Sequence, residues 1–211
     1  MFQNLSPNML KTFIACPKKF AFKYIKNINM PVNDEIFETG KNIHALASYY
    51  LRNENIDKLE QALNPHEKEI WEYLKRIVYF SYETIKTEYN LSVKLGDCFF
   101  GGRLDALVKN GDKYFILDYK TGSIPKNAIY DYQTMIYILS VSEFFKTDSI
   151  AFVYIDLRNK SELKIEFTQE LKNEYKNRLL KISNEILKEE TDATFSKKNC
   201  TGFCEYDMIC Y

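Results

Sequence analysis

The sequence is poor in the residues that interrupt a fold. Seven Gly and 5 Pro in 211 residues leave little material for flexible linkers or a string of modules, and 45% hydrophobic residues is too apolar for a disordered chain. A surplus of one charge is missing as well: 29 Lys+Arg balance 29 Asp+Glu, so the formal net charge is zero. A neutral chain neither attracts nor strongly repels a polyanion, and any such binding must come from local patches. No run approaches the ~20 apolar residues of a membrane span. The opening, Met1 to Pro7, lacks the basic segment and apolar run of a signal peptide. The expectation is one compact domain over residues 1–211, cytoplasmic and without a membrane partner.

Ser6-Pro7 opens a helix, with an N-cap hydroxyl and a proline in the first turn, and Leu10, Phe13 and Ile14 follow at helical spacing. Residues 1–30 hold Lys11, Lys18, Lys19, Lys23 and Lys26 and no acid, interleaved with Phe13, Phe20, Phe22 and Tyr24. Such a segment is either a solvated face whose lysine stems cover apolar surface or a nucleic-acid contact. The spacing predicts a second helix over 34–52, with His44 at the edge of its apolar stripe, and a longer one from Asn64-Pro65 to about Glu88. His66, early in that helix, should face solvent. Strands are predicted over 91–108, with a break at Gly101-Gly102, and over 113–119. A helix over 127–144, a strand pair at 150–157 and 163–167, a helix over 171–187 and an irregular tail from Thr191 complete the chain. That order gives an α/β fold with a mixed sheet.

The chemistry concentrates around one hairpin. Asn110-Gly111 between apolar runs signals a tight turn. If Lys109 pairs with Asp112, Asp105 lies opposite Ile116, with Asp118 as its diagonal neighbour. Asp105, Asp118 and Lys120 then share one face, at Cα separations of roughly 7–8 Å. Two acids and a lysine at the end of the apolar run Phe115-Ile116-Leu117 are costly unless a cation neutralises the acids. Oxygen ligands suit Mg²⁺ or Mn²⁺, which polarises a phosphoryl oxygen and lowers the pKa of a bound water. The reaction class expected of such a site is phosphodiester hydrolysis. The same acid-x-Lys spacing recurs at Glu162, Glu170 and Glu174, where alternating or helical charge patterns read as wet surface. His44 is either a hydrogen-bonded core histidine or a ligand.

Of five cysteines, Cys200, Cys204 and Cys210 crowd the last twelve residues, Cys16 precedes Pro17, and Cys98 sits in an aromatic strand. Three close thiols in a tail with little apolar surface suggest a metal or cluster, with Cys16 as the fourth ligand, stapling residues 1–30 to 191–211. One remote thiol joining a triplet leans toward a [4Fe-4S] cluster, with Zn²⁺ as the alternative. Buried or incidental thiols remain open, and Cys98 reads as a small buried hydrophobe.

Together these residues resemble the PD-(D/E)XK nuclease superfamily, and within it the RecB-like branch with a C-terminal cysteine cluster. That branch includes CRISPR-associated Cas-four exonucleases and the nuclease domains of recombination helicase-nucleases. The resemblance lies in residues 15–20, 40–44, 102–105, 118–122 and 133–137 and in Cys200, Cys204 and Cys210. Three residues separate Cys200 from Cys204, where the family usually has two. The resemblance implies a restriction-endonuclease-like mixed central sheet flanked by helices. It also implies one Mn²⁺ or Mg²⁺ held by His44, Asp105, Asp118 and the Tyr119 carbonyl, with Lys120 catalytic. Gln133 and Tyr137 would support the site or contact DNA, or simply pack their helix on the sheet. The implied activity is a metal-dependent exonuclease on single-stranded DNA ends, in CRISPR adaptation and antiviral defence beside integrase proteins. A recombination or phage nuclease and a catalytically silent DNA-binding subunit are the alternatives. No Gly-x-x-x-x-Gly-Lys-Ser/Thr occurs, so a helicase motor would be a separate protein.

Overall fold

The computed structural model describes residues 4–30, 38–192, 195–198, 200 and 204–210. A short strand, β1 (Asn4–Leu5), leads into α1 (Pro7–Ala15), whose first turn is capped by Ser6 accepting from the Met9 N–H at 3.3 Å. Pro17 restarts the chain as α2 (Pro17–Phe20), which widens into a π-turn segment over Ala21–Ile25. The second predicted helix is α3 (Glu38–Leu51); the part of that reading over 34–37 lies outside the described residues. After α4 (Asp57–Ala62), α5 (Pro65–Leu74) begins with a reciprocal capping box between Asn64 and Glu67, and His66 is exposed.

Here the structure corrects the long helix expected to reach Glu88. It stops at Leu74, and β2 (Glu83–Leu95) already runs extended through Thr84, Ile85, Thr87 and Tyr89. β-Branched and aromatic side chains favour the pleated state over a helix. The turn that follows is at Gly96, φ 59°, so Gly101 and Gly102 lie inside β3 (Cys98–Asn110) and do not break it. The next hairpin, to β4 (Lys113–Lys120), turns at Gly111 and Asp112, with Asn110 paired to Lys113 and Ala106 to Leu117. The register expected from Asn110-Gly111 is therefore off by two residues. A slip of two preserves faces, where a slip of one would have inverted them.

α6 (Tyr132–Phe145) is the crossover that brings β5 (Ile150–Asp156) parallel to β4, and β6 (Ser161–Glu166) closes the sheet antiparallel to β5. One edge of β3 pairs with β2, and the other is shared by β1, at Phe99 and Phe100, and β4, from Ala106 onward. α1, α6 and α7 (Gln169–Asp192) cover one face of this mixed sheet, around Phe100, Leu107, Ile116, Phe152 and Tyr175. α3 and α5 cover the other, around Ile43, Trp71, Val108, Leu117 and Val153. Cys98 is buried. No described helix is long and apolar enough to cross a membrane.

The tail docks with more apolar surface than the sequence suggested. Tyr206, 2% exposed, stacks on Phe22 at 5.4 Å and donates its hydroxyl to the Ile28 carbonyl. Phe195 meets Phe20 at 6.2 Å, and Lys19 pairs with Glu205 at 2.8 Å. The N-terminal lysines are largely occupied by this chain's own groups: Lys11 pairs with Asp131, Lys18 and Lys26 lie over Phe22, and Lys23 lies over Tyr24. That favours the solvated-face reading of the basic segment.

Candidate active site

The edge of β3 between its partners β1 and β4 is open, and Asp105 stands at the end of the gap. Side-chain alternation slips there: Leu104 and Leu107 join one core, while Ala106 and Val108 join the other. The Asp105 carboxylate takes the place of a ladder partner, Oδ2 accepting the Tyr119 N–H at 2.8 Å. On β2, Thr87 pairs with Ala106 and Tyr89 with Leu104, so Glu88 faces Asp105 between them, with φ 47°. On β4, Leu117 pairs with Ala106, which sets Asp118 level with Asp105 on the other side.

α3 delivers His44 to this row. Its Nδ1 lies 3.3 Å from Asp105 Oδ1 and its Nε2 3.1 Å from the Tyr119 carbonyl oxygen, with the ring edge-on to Tyr119. Asp118 is 2% exposed and ion-pairs through Oδ2 with Lys120 Nζ at 2.7 Å. From α6, whose first turn is capped by Asp131, Gln133 donates Nε2–H to Asp118 Oδ1 and accepts from Lys120 Nζ through Oε1 at 2.9 Å. One turn on, Tyr137 donates its hydroxyl to the Arg103 carbonyl at 2.9 Å and crosses directly over Gly102. Gln133 thus fixes the acid–lysine pair, while Tyr137, 5% exposed, packs α6 onto β3.

The electrostatics follow from crowding anions in a dry place. Burial, reinforced by the Asp105 charge and only partly offset by Lys120, pushes the Asp118 carboxyl up to about 7. Burial acts to lower the His44 imidazole, but the hydrogen bond and charge of Asp105, with Asp118 and Glu88, outweigh it and raise the net value. Glu88 is raised by burial and then by Asp105, against Arg103. A dication is the natural counter-charge for such a site, and the donors suit one: an imidazole, carboxylates and a carbonyl.

Among the described residues, His44, Glu88 and Asp105 form the one group of three or more His, Cys, Asp or Glu side chains whose ligand atoms lie within 4.8 Å of one another. Of the predicted metal set, His44, Asp105 and the Tyr119 carbonyl come together, and Asp118 stands beside them in the hands of Lys120 and Gln133. Glu88 was missed because its segment reads as helix. The β-branched Thr84, Ile85 and Thr87 were the signal available.

Cys16, Cys204 and Cys210 are half-buried, Cys200 is exposed, and all are free thiols. Zn–S bonds of about 2.3 Å in a tetrahedron put sulfurs about 3.8 Å apart. Among the described residues, no three of these thiols bring their sulfurs within 4.8 Å of one another. The tail nevertheless meets the Cys16 turn, with the Lys18 N–H donating to the Ser196 carbonyl at 3.0 Å.

The fold recurs in a solved structure. A solved structure of an Eubacterium rectale protein assigned as an exonuclease superposes with a TM-score of 0.61, covering 96% of this chain and 86% of its own at 11% identity, which establishes the shared fold. A second, SSO0001, covers 99% of this chain and 85% of its own at 15% identity, with a TM-score of 0.44. No curated protein sequence matches. The sequence itself matches the profile of the PD-(D/E)XK nuclease superfamily over residues 4–211; with its restriction-endonuclease-like mixed sheet, the chain belongs to that superfamily.

Proposed function

We propose that this chain is a divalent-metal-dependent deoxyribonuclease that hydrolyses phosphodiester bonds at single-stranded DNA ends. The observation that carries the reading is the convergence of His44, Asp105, Asp118, the Tyr119 carbonyl and Lys120 at the open edge of β3. His44, Asp105, Asp118 and the Tyr119 carbonyl would hold Mn²⁺ or Mg²⁺. The ion supplies polarisation of a phosphoryl oxygen and a lowered pKa for an attacking water. Lys120, with 24% of its side chain exposed, presents an ammonium to charge growing on the phosphate. Gln133 keeps that ammonium and the Asp118 carboxylate in fixed register, so neither has to reorganise during reaction.

A groove of about 720 Å³ supports the single-strand preference. It begins at Tyr50, nearly two helical turns beyond His44, and is lined also by Arg52, Phe80, Tyr82 and Lys86. Rings for base stacking and cations for the backbone suit an unpaired strand. The cysteine spacing and its resemblance to the Cas-four branch support a [4Fe-4S] cluster joining Cys16 to Cys200, Cys204 and Cys210. The same resemblance supports a place in CRISPR adaptation, trimming DNA for integrase partners.

The test is digestion of end-labelled single strands of both polarities with Mn²⁺ and with chelator. Wild type should cut only with metal, and Lys120→Ala should lose about 10²–10³ of the rate, as for an electrostatic stabiliser. Holo-protein that binds the strand but never cuts it would overturn the enzyme reading in favour of a silent binding subunit.

A further inference from the structure

The three carboxylates in a row are not equivalent, and their differences assign a role to the one that sequence motifs leave out. Glu88, Asp105 and Asp118 sit level on three adjacent strands, β2, β3 and β4. Asp118 is held in a dry pocket, with Gln133 donating to Oδ1 and Lys120 ion-paired at Oδ2, which has no hydrogen-bond partner among the described residues. Glu88 has 25% of its side chain exposed, and its charge partner is Arg103 at 3.0 Å, whose own side chain is 66% exposed and free to swing into solvent. Glu88, and not Asp118, shares with His44 and Asp105 a volume in which a ligand atom from each lies within 4.8 Å of the others.

The backbone is built to put it there. Thr87 bonds Ser48 of α3 on one face of the sheet, while Tyr89 packs on the core of the opposite face. Residues two apart in a regular strand share a face, so β2 swivels at Glu88, where φ is 47°. β3 swivels at the facing residue, Asp105. A non-glycine residue in the left-handed region is strained and persists only where its surroundings enforce it.

We propose that Glu88 is a direct ligand of the divalent ion, completing with His44 and Asp105 a site on the α3 side of the row. This inference rests on the metal-dependent reading above and deepens it. Glu88 would give up its ion pair with Arg103 to hold the ion.

The test reads metal binding, not activity: Mn²⁺ titration of the purified full chain, following free Mn²⁺ by electron paramagnetic resonance. Glu88→Gln should weaken binding at least tenfold. Glu88→Asp, which keeps the charge but shortens the reach, should weaken it by a smaller factor and covers the case in which the Gln variant folds poorly. Arg103→Gln should bind as tightly as wild type or more so, because it frees the ligand. Unchanged affinity in both Glu88 variants, with wild type binding well, would overturn this assignment and leave the nuclease reading standing. An Arg103→Gln loss equal to that of Glu88→Gln would reduce Glu88 to an ion-pair partner. A wild type that binds no Mn²⁺ would overturn both.

Discussion

Gly102 is where α6 is seated on the sheet, and filling it tests whether the acid–lysine pair is positioned through Tyr137. A Cβ at 102 would fall 2.8 Å from Tyr137 Oη, 3.1 Å from Cε1 and 3.4 Å from Cζ. The ring has no slack, being 5% exposed, stacked near Phe152 and hydrogen-bonded to the Arg103 carbonyl. Gly102→Ala therefore displaces either the ring or α6, an overpacking cost of about 1–3 kcal/mol. At about 2–4 °C per kcal/mol for a domain of this size, the melting temperature should drop by roughly 2–12 °C. Tyr137→Phe alone orphans the Arg103 carbonyl for about 1 kcal/mol. In the Gly102→Ala background it also removes the atom in closest collision. The double variant should then be more stable than the sum of the singles predicts, by at least about 0.5 kcal/mol. Thermal melts of the four proteins give the cycle. Hydrolysis should fall further in Gly102→Ala than stability does, since Gln133 rides on the same helix one turn away. Strict additivity, or a Gly102→Ala protein melting within about 1 °C of wild type, would refute the idea that this crossing is tight.

Asp148 joins the end of α6 to the start of α7, accepting from Lys172, Ser142 and Gln169, and the Lys172 and Ser142 bonds hold its carboxyl below the ordinary value against the opposing effect of burial. A depressed carboxyl contributes stability above its unfolded pKa of about 3.9 and loses it as pH falls through the folded value. Asp148→Asn should cost about 0.5–1 kcal/mol near pH 7, discounted for solvent exposure, with the gap to wild type closing below about pH 4 in denaturant titrations. Cys16→Ser should abolish the visible absorbance of holo-protein while Cys98→Ser, at a buried apolar position, spares it; the reverse would place the fourth ligand elsewhere.

Much of this fold is legible because its signals are local. Ser6-Pro7 and Asn64-Pro65 open helices where hydroxyl or amide caps and proline agree, and α7 follows from its apolar period. The long-helix reading failed where two local signals compete. Ile70, Trp71 and Leu74 keep a helical stripe that Ile77 and Val78 continue in sequence, yet Thr84, Ile85 and Thr87 win the segment for β2 through pairing with β3, a contact that is distant in sequence. The tail was underestimated for the same reason: Tyr206 counts as one aromatic in a polar stretch until Phe22 is brought beneath it.

The site divides along the same line. That Asp118 and Lys120 share a face depends only on strand parity, which survives the two-residue register slip because side-chain direction repeats every two residues. Parity predicts what a regular strand does. Glu88 and Asp105 sit where β2 and β3 both depart from regularity, one through a left-handed backbone and the other through a carboxylate standing in for a ladder partner. Irregularity of that kind is not encoded by a run of residue types. It is imposed by α3 and α6 pressing His44, Gln133 and Tyr137 onto opposite sides of the same few residues, so the groups that sequence pattern hides best are those that the packed layers, acting together, bring into one cluster.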